Sequence, residues 1–107
     1  MSDAEIARAV LIDARRRIEN KQNSLICLAI DHVIYKHPLR ANAGYRLKRW
    51  ISWMLGEHVT YTGWAAANVP EFKRMNSASA YAKSRITRIA WINWMLTQDL
   101  GEVMKKY

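Results

Sequence analysis

The sequence predicts an all-α fold, a compact single-domain bundle of about five helices over residues 1–107. Apolar residues recur about every 3.6 positions along most of the chain, and no segment shows the two-residue alternation of a half-buried strand. The composition agrees, because 50% of the residues are apolar and only four glycines and two prolines occur among 107 positions. A chain of this length builds one hydrophobic core rather than two.

The first helix is predicted to begin after Ser2 and to end near Asn20. Ser2 and Glu5 have the spacing of a capping box, and the negative charge of Asp3 is favoured in a first helical turn. Six apolar residues then share one face of this helix: Ile6, Ala7, Val10, Leu11, Ala14 and Ile18.

The second helix is predicted to start from a cap at Ser24 and to stop before Pro38. Its first turns, Leu25–Ile30, are apolar on nearly all sides, so we expect this helix to be the central and most buried element. A buried strand is an alternative for so short an apolar run.

The third helix is predicted from a cap at Asn42 to Leu55, with Gly56 at its C-terminal cap. Its core stripe consists of Leu47, Trp50, Ile51, Met54 and Leu55. Two short helical pieces are predicted next, one over residues 60–67, starting at Thr60 or Thr62, and one over Glu71–Met75.

The last long helix is predicted from Asn76 or Ser77 to about Leu100, and Glu102–Tyr107 are expected to fray. Asn93 interrupts its apolar face near the middle. The residues expected to be buried are Ala82, Ile86, Ile89, Ala90, Ile92, Leu96 and Leu100.

Positive charge is the strongest functional signal, since 17 Lys and Arg residues against nine Asp and Glu leave a net charge of +8. Residues 32–56 and 72–98 contain no acidic residue, and ten of the basic residues lie in these two windows. They are Lys36, Arg40, Arg46, Lys48, Arg49, Lys73, Arg74, Lys83, Arg85 and Arg88. Such a field attracts phosphates or an acidic protein surface.

Aromatic residues interleave with these basic residues, as in protein hot spots and in surfaces that stack on unpaired bases. Trp91 and Met95 lie opposite the predicted apolar stripe of the last helix, so they form either an exposed patch or a contact with a neighbouring helix. The candidate partner-binding residues are therefore Arg46, Arg49, Lys83, Arg88, Trp91 and Met95.

Catalytic, metal and cofactor signatures are not found in the sequence, which favours a non-enzymatic protein without a cofactor. The single cysteine, Cys27, excludes an internal disulfide and a Cys-based zinc site and indicates a reducing cytoplasm. The longest apolar run has six residues, and the N-terminus lacks the apolar region of a secretory signal, so we expect no membrane insertion. Helix 42–55, Gly56 and residues 60–68 have the order of a helix-turn-helix, but the second helix carries no basic side chain for a major groove.

Four apolar and aromatic segments resemble small accessory proteins of tailed bacteriophages. They are Leu25–Ile30, Trp53–Gly56, Tyr61–Trp64 and Arg88–Leu96. The resemblance covers roughly residues 24–96 and implies a protein made in the cytoplasm of an infected bacterium, where such proteins often bind a host machine or defence complex.

The leading hypothesis is a phage-type binding protein that occludes a host protein or nucleoprotein complex handling nucleic acid, in host takeover or against host defence. Complementary charge would speed the encounter, and buried aromatic anchors would supply the affinity. The alternative is direct, weakly specific binding of DNA or RNA through both acid-free windows. A third class is a homo-oligomer that uses the Trp91–Met95 patch.

Overall fold

Five helices make up most of the described part of the chain, which in this computed structural model comprises residues 2–23, 25–36, 44–51 and 80–107. The elements are α1 (Asp3–Glu19), α2 (Ile26–Val33) with a 3₁₀ turn (Ile34–Lys36), α3 (residues 44–51), α4 (Ala80–Leu96) and α5 (Leu100–Lys106). None of these residues lies in a strand. The predicted all-α fold is confirmed, and the alternative of a buried strand at Leu25–Ile30 is excluded.

Helix α1 follows the sequence prediction at its start and along its buried face. The Ser2 hydroxyl accepts a hydrogen bond from the backbone NH of Glu5 at 3.2 Å, and the Glu5 carboxylate accepts one from the backbone NH of Ser2 at 3.4 Å. The Ser2 hydroxyl also donates a hydrogen bond to Oε1 of Glu5 at 3.0 Å. This bond first and the bond from the Ser2 backbone NH second lower the pKa of Glu5, because both stabilise the ionised carboxylate. All six residues predicted for the apolar face are buried.

The C-terminus of α1 closes in a Schellman motif. The NH of Gln22 donates to the carbonyl of Arg17 at 2.9 Å, and the NH of Lys21 donates to the carbonyl of Ile18 at 3.1 Å. Lys21 occupies the position that usually holds glycine, because its φ of 59° lies in the left-handed region. The motif ends the helix near Asn20, as predicted, and turns the chain towards α2.

Helix α2 begins later than predicted and is less buried. Its N-cap position is Leu25, whose side chain makes no capping bond. The predicted cap, Ser24, lies outside the described residues. The face that contains Ile26, Ala29, Ile30 and Val33 is buried, whereas Leu28 on the opposite face is 47% exposed. Among the described elements, α1 packs against α2, α4 and α5, and α2 contacts both α1 and α3.

Helix α3 buries the three described residues of its predicted stripe, Leu47, Trp50 and Ile51. Gly44 permits a close approach to α2, because a methyl group at this position would lie 2.8 Å from Cδ1 of Ile34. The other residues of the predicted stripe, the caps at Asn42 and Gly56, the two short helices and the proposed helix-turn-helix lie outside the described residues.

The face that helix α4 turns inward overlaps only in part with the predicted one. Of the residues expected to be buried, Ile92 and Leu100 are buried, and Ile89 and Leu96 pack against the core while partly exposed. Thr87, Trp91, Ile92 and Met95 are buried, whereas Ile86, Ile89, Ala90 and Leu96 are only partly buried. The side chain of Ala82 lies outside the described residues. Trp91 and Met95 are large apolar side chains, so their burial contributes a large hydrophobic stabilisation to this orientation. Asn93 is exposed rather than central to the apolar arc.

The C-terminal residues form helix α5, so the expected fraying of Glu102–Tyr107 is wrong. Helix α4 ends at Leu96, and the Asp99 carboxylate caps α5 by accepting a hydrogen bond from the NH of Glu102 at 3.2 Å. Leu100, Val103 and Met104 are buried, and α5 packs against α1. Tertiary burial therefore stabilises a helix too short to be stable alone.

Candidate functional site

Two of the six candidate partner-binding residues belong to the hydrophobic core. Trp91 is 2% exposed and Met95 is fully buried. The Trp91 ring contacts Trp94 edge-on, with 6.0 Å between the ring centroids, and Trp94 in turn contacts Trp50 of α3. The predicted exposed patch at Trp91 and Met95 is therefore wrong; the alternative of a contact with neighbouring helices is correct.

Arg46 is turned towards the end of another helix rather than towards a partner. Its guanidinium donates a hydrogen bond to the carbonyl of Met104 in the last turn of α5. Carbonyls in a last helical turn lack intrahelical donors, and a cation is favoured at this end of the helix dipole. Arg46 thus caps α5 from α3, and this bond engages part of its guanidinium within the protein.

Two arginines of α1 make similar contacts at the end of α4. Arg8 donates to the carbonyl of Leu96, the last residue of α4, at 3.2 Å, and Arg15 donates to the amide oxygen of Asn93 at 2.7 Å. The acceptor of Arg8 is neutral, whereas Arg15 also pairs with Glu19, whose Oε1 lies 3.5 Å from Nε of Arg15. Some of the basic residues therefore hold helices together, and they also contribute to the long-range positive field of the protein.

The candidates Arg88 and Lys83 both lie on α4. Arg88 is partly buried and engaged in contacts within the protein. The side chain of Lys83 lies outside the described residues.

Among the candidates whose side chains are described, Arg49 is the exposed one, and Tyr45 lies beside it on α3. The two residues are one helical turn apart, and the Arg49 guanidinium carbon lies 5.8 Å from the centroid of the Tyr45 ring. This is cation–π distance. Tyr45 is 60% exposed, so the pair presents a flat ring and a planar cation to solvent.

An ion pair connects the exposed side of α3 to that of α2. Lys48 Nζ lies 2.6 Å from Oδ1 of Asp31, and both side chains are partly solvent-accessible. We call Leu25, Leu28, Asp31, Tyr45, Lys48 and Arg49 the α2–α3 surface. Of these six residues, only Arg49 was among the candidates predicted from the sequence. The i, i+4 spacing of Tyr45 and Arg49 in an acid-free window is the sequence feature that could have identified Tyr45 as well.

Cys27 lies near this ion pair but has the properties of a structural thiol. Burial raises the pKa of Cys27 above its usual value, with Lys48 opposing the shift and Asp31 adding to it. The thiol is therefore protonated at neutral pH and a weak nucleophile. Among the described residues, no three His, Cys, Asp or Glu side chains are grouped to hold a metal ion.

Comparisons with protein-family models, curated proteins and solved structures found no match to this chain. No helix in the described ranges has both the length and the apolar character needed to cross a bilayer. The candidate site therefore stands on the geometry and charge of the α2–α3 surface.

Proposed function

We propose that this chain is a small, basic, non-enzymatic binding protein that occludes a partner protein which handles nucleic acid. The observation that carries the proposal is the exposed Tyr45 ring beside Arg49 on α3. Tyrosine and arginine are enriched in the hot spots of protein interfaces, because each combines a large contact area with directed polar groups. The window around them, residues 32–56, contains no acidic residue.

The distribution of arginine contacts favours an acidic protein surface as the target. A net charge of +8 attracts any anionic partner over a distance set by the ionic strength. Binding along a phosphate backbone additionally needs many cations that are free to contact phosphates. Arg8, Arg15 and Arg46 already donate to acceptors within the protein, so they add to the attraction more than to the contact.

Direct binding of single-stranded nucleic acid is the second candidate, and the same pair favours it. An exposed tyrosine can stack on an unpaired base while the neighbouring arginine contacts phosphate. This candidate predicts an affinity that falls steeply with salt, with a slope that reports the number of phosphate contacts.

Fluorescence anisotropy of labelled single- and double-stranded oligonucleotides at two salt concentrations separates the two candidates. We expect weak binding that changes little on the double substitution Tyr45→Ala with Arg49→Ala. Arg16→Ala is the charge-matched control, since the Arg16 side chain on α1 is 66% exposed. Binding at micromolar or tighter affinity that is lost at high salt, and that the double substitution removes, would replace the protein partner with nucleic acid.

The protein partner is tested by comparative capture from nuclease-treated bacterial lysate, because the resemblance to phage accessory proteins makes bacterial proteins the first to examine. We expect a species that the wild type and Arg16→Ala retain and that the Tyr45→Ala, Arg49→Ala variant loses. Association of the captured protein should slow with Arg49→Glu, since steering depends on charge. Equal capture by all variants would contradict the assignment of this pair.

A further inference from the structure

Two pairs of a tyrosine and a basic residue lie on helices that are distant in the sequence. On α3, the Arg49 guanidinium carbon lies 5.8 Å from the centroid of the exposed Tyr45 ring. At the end of α5, Lys106 Nζ lies 5.5 Å from the centroid of the Tyr107 ring. Both separations are cation–π distances, so each ring holds a basic side chain in a defined place.

A hydrogen bond between α3 and α5 brings these two pairs close together. It runs from the Arg46 guanidinium to the carbonyl of Met104. Arg46 lies within one helical turn of both members of the α3 pair, and Met104 lies within one turn of both members of the α5 pair. The NH of Tyr107 donates to the carbonyl of Val103 at 3.0 Å, which keeps the α5 pair in the helical turn. The two pairs therefore lie at one junction between α3 and α5.

The exposed charge at this junction is mainly positive. The side chain of Lys105 is 79% exposed, and Arg49 and Lys106 are exposed as well. Within the described residues of α3 and α5, Glu102 is the only acidic side chain, and its Oε1 lies 3.6 Å from Lys105 Nζ. A pair this exposed to water is weak, because solvent screens both charges. An approaching anion therefore meets three exposed cations and one carboxylate.

Stabilisation of α5 accounts for only part of this charge. A cation in a last helical turn is favoured by the helix dipole, and Arg46 already provides one through its bond to Met104. At 79% exposure, Lys105 adds little further stabilisation, since water and salt weaken its interaction with the helix end. Lys105 is therefore better placed to contact a partner than to stabilise the helix.

The position of the rings favours carboxylates over unpaired bases as the anion. In both pairs a basic side chain lies over the ring and covers part of one face. Tyr107 also packs against the hydrophobic core, so its ring has little surface left for stacking on a base. A carboxylate needs no ring face, since it bonds directly to a guanidinium or an ammonium group.

We infer that the junction of α3 and α5 binds an acidic segment of the partner protein. Carboxylates of that segment would contact Arg49 on α3 and the lysines Lys105 and Lys106 on α5. The inference rests on the proposed function and adds the last turn of α5 to the binding surface and a charge to the partner segment. Because the bond from Arg46 holds the two helices together, a segment with spaced carboxylates reaches both groups of cations at once, which strengthens binding.

The test uses a fluorescent peptide of alternating glutamate and glycine, about 12 residues long, which in extended form spans both groups of cations. A single-stranded oligonucleotide with the same number of negative charges is the second probe. We expect Lys105→Gln with Lys106→Gln to weaken binding of the peptide to the full-length protein about fivefold or more, and Arg49→Gln to weaken it several-fold. The matched control, Arg16→Gln with Lys21→Gln, removes two exposed cations from the C-terminal end of α1 and should change the affinity less than about twofold.

Circular dichroism and thermal melting of each variant show whether α5 stays folded. Lys105→Arg with Lys106→Arg keeps both charges and should therefore retain the affinity for the peptide. If the double glutamine variant unfolds, Lys105→Gln alone gives the measurement, because this side chain is 79% exposed.

Equal weakening of peptide binding by the two double glutamine variants would overturn the inference, because net charge rather than the junction would then determine binding. Absence of peptide binding at low salt would overturn it as well. Tighter binding of the oligonucleotide that Lys105→Gln with Lys106→Gln removes would assign the junction to nucleic acid instead.

Failure of the inference is distinguishable from failure of the proposed function. If the lysate partner is lost on Tyr45→Ala with Arg49→Ala but kept on Lys105→Gln with Lys106→Gln, the last turn of α5 lies outside the interface while the proposed function stands. If neither variant changes capture, both proposals fail.

Discussion

Truncation of Met95 to alanine is the sharpest test of where α4 packs. The Met95 side chain is fully buried, so its removal loses the transfer free energy of three heavy atoms and leaves a cavity. Burial of this kind makes Met→Ala cost about 2–5 kcal/mol in protein cores. A domain of this size has a free energy of unfolding of about 5–15 kcal/mol, so the variant should be visibly destabilised.

Urea unfolding followed by far-UV circular dichroism measures the change, and Leu28→Ala is the matched control. It removes a similar apolar volume from a helix position that is 47% exposed, so we expect a loss of at most about 1 kcal/mol. The slope of the unfolding free energy against urea should stay constant for both variants. A Met95→Ala loss no larger than that of Leu28→Ala would refute the buried placement and restore Met95 to the candidate surface.

Three further changes test local features. Lys21→Gly should raise the free energy of unfolding by about 0.5–1 kcal/mol, because glycine adopts the left-handed conformation without strain; Lys21→Ala should give no such gain, and equal melts would contradict the reasoning. Asp99→Ala should lower the free energy of unfolding by about 1 kcal/mol through loss of the α5 cap. Asp99→Asn should retain most of this stabilisation in the same melts. The rate at which Cys27 reacts with a disulfide reagent should rise only at a pH above the usual thiol range. Lys48→Ala should move this rise to a still higher pH, since Lys48 opposes the increase in the Cys27 pKa. A rise in rate near neutral pH would count against the buried thiol.

The predictions from sequence succeeded where the determining contacts are local. The capping box of α1 involves residues three positions apart, and its six-residue apolar face follows from helical spacing. The same kind of signal was present for α5, where Asp99 precedes apolar residues at 100, 103 and 104. The expectation that Glu102–Tyr107 fray rested on their position at the end of the chain and not on their apolar spacing. The cap at Asp99 was missed for that reason.

The orientation of α4 could not be predicted because contacts distant in the sequence determine it. Its apolar residues cover most of its circumference, so periodicity alone favours no single buried face. Arg8 and Arg15 hold its last turn through acceptors 88 and 78 positions away. With these contacts in place, Trp91 faces the core and Asn93 faces Arg15, although both lie in the same apolar segment.

A basic, aromatic window in a sequence does not by itself show which of its side chains lie on a binding surface. Arg46 and Arg49 are three positions apart in one acid-free window, yet Arg46 caps α5 and Arg49 lies over an exposed tyrosine. The sequence signal is the same for both, because local charge density does not record which carbonyl a guanidinium reaches in the fold. A substitution of Arg46 that weakens binding therefore has to be separated from a shift of α5, whereas Arg49→Gln changes the surface itself. For this reason Arg49, compared with the exposed Arg16, is the position at which a binding measurement reports on function rather than on stability.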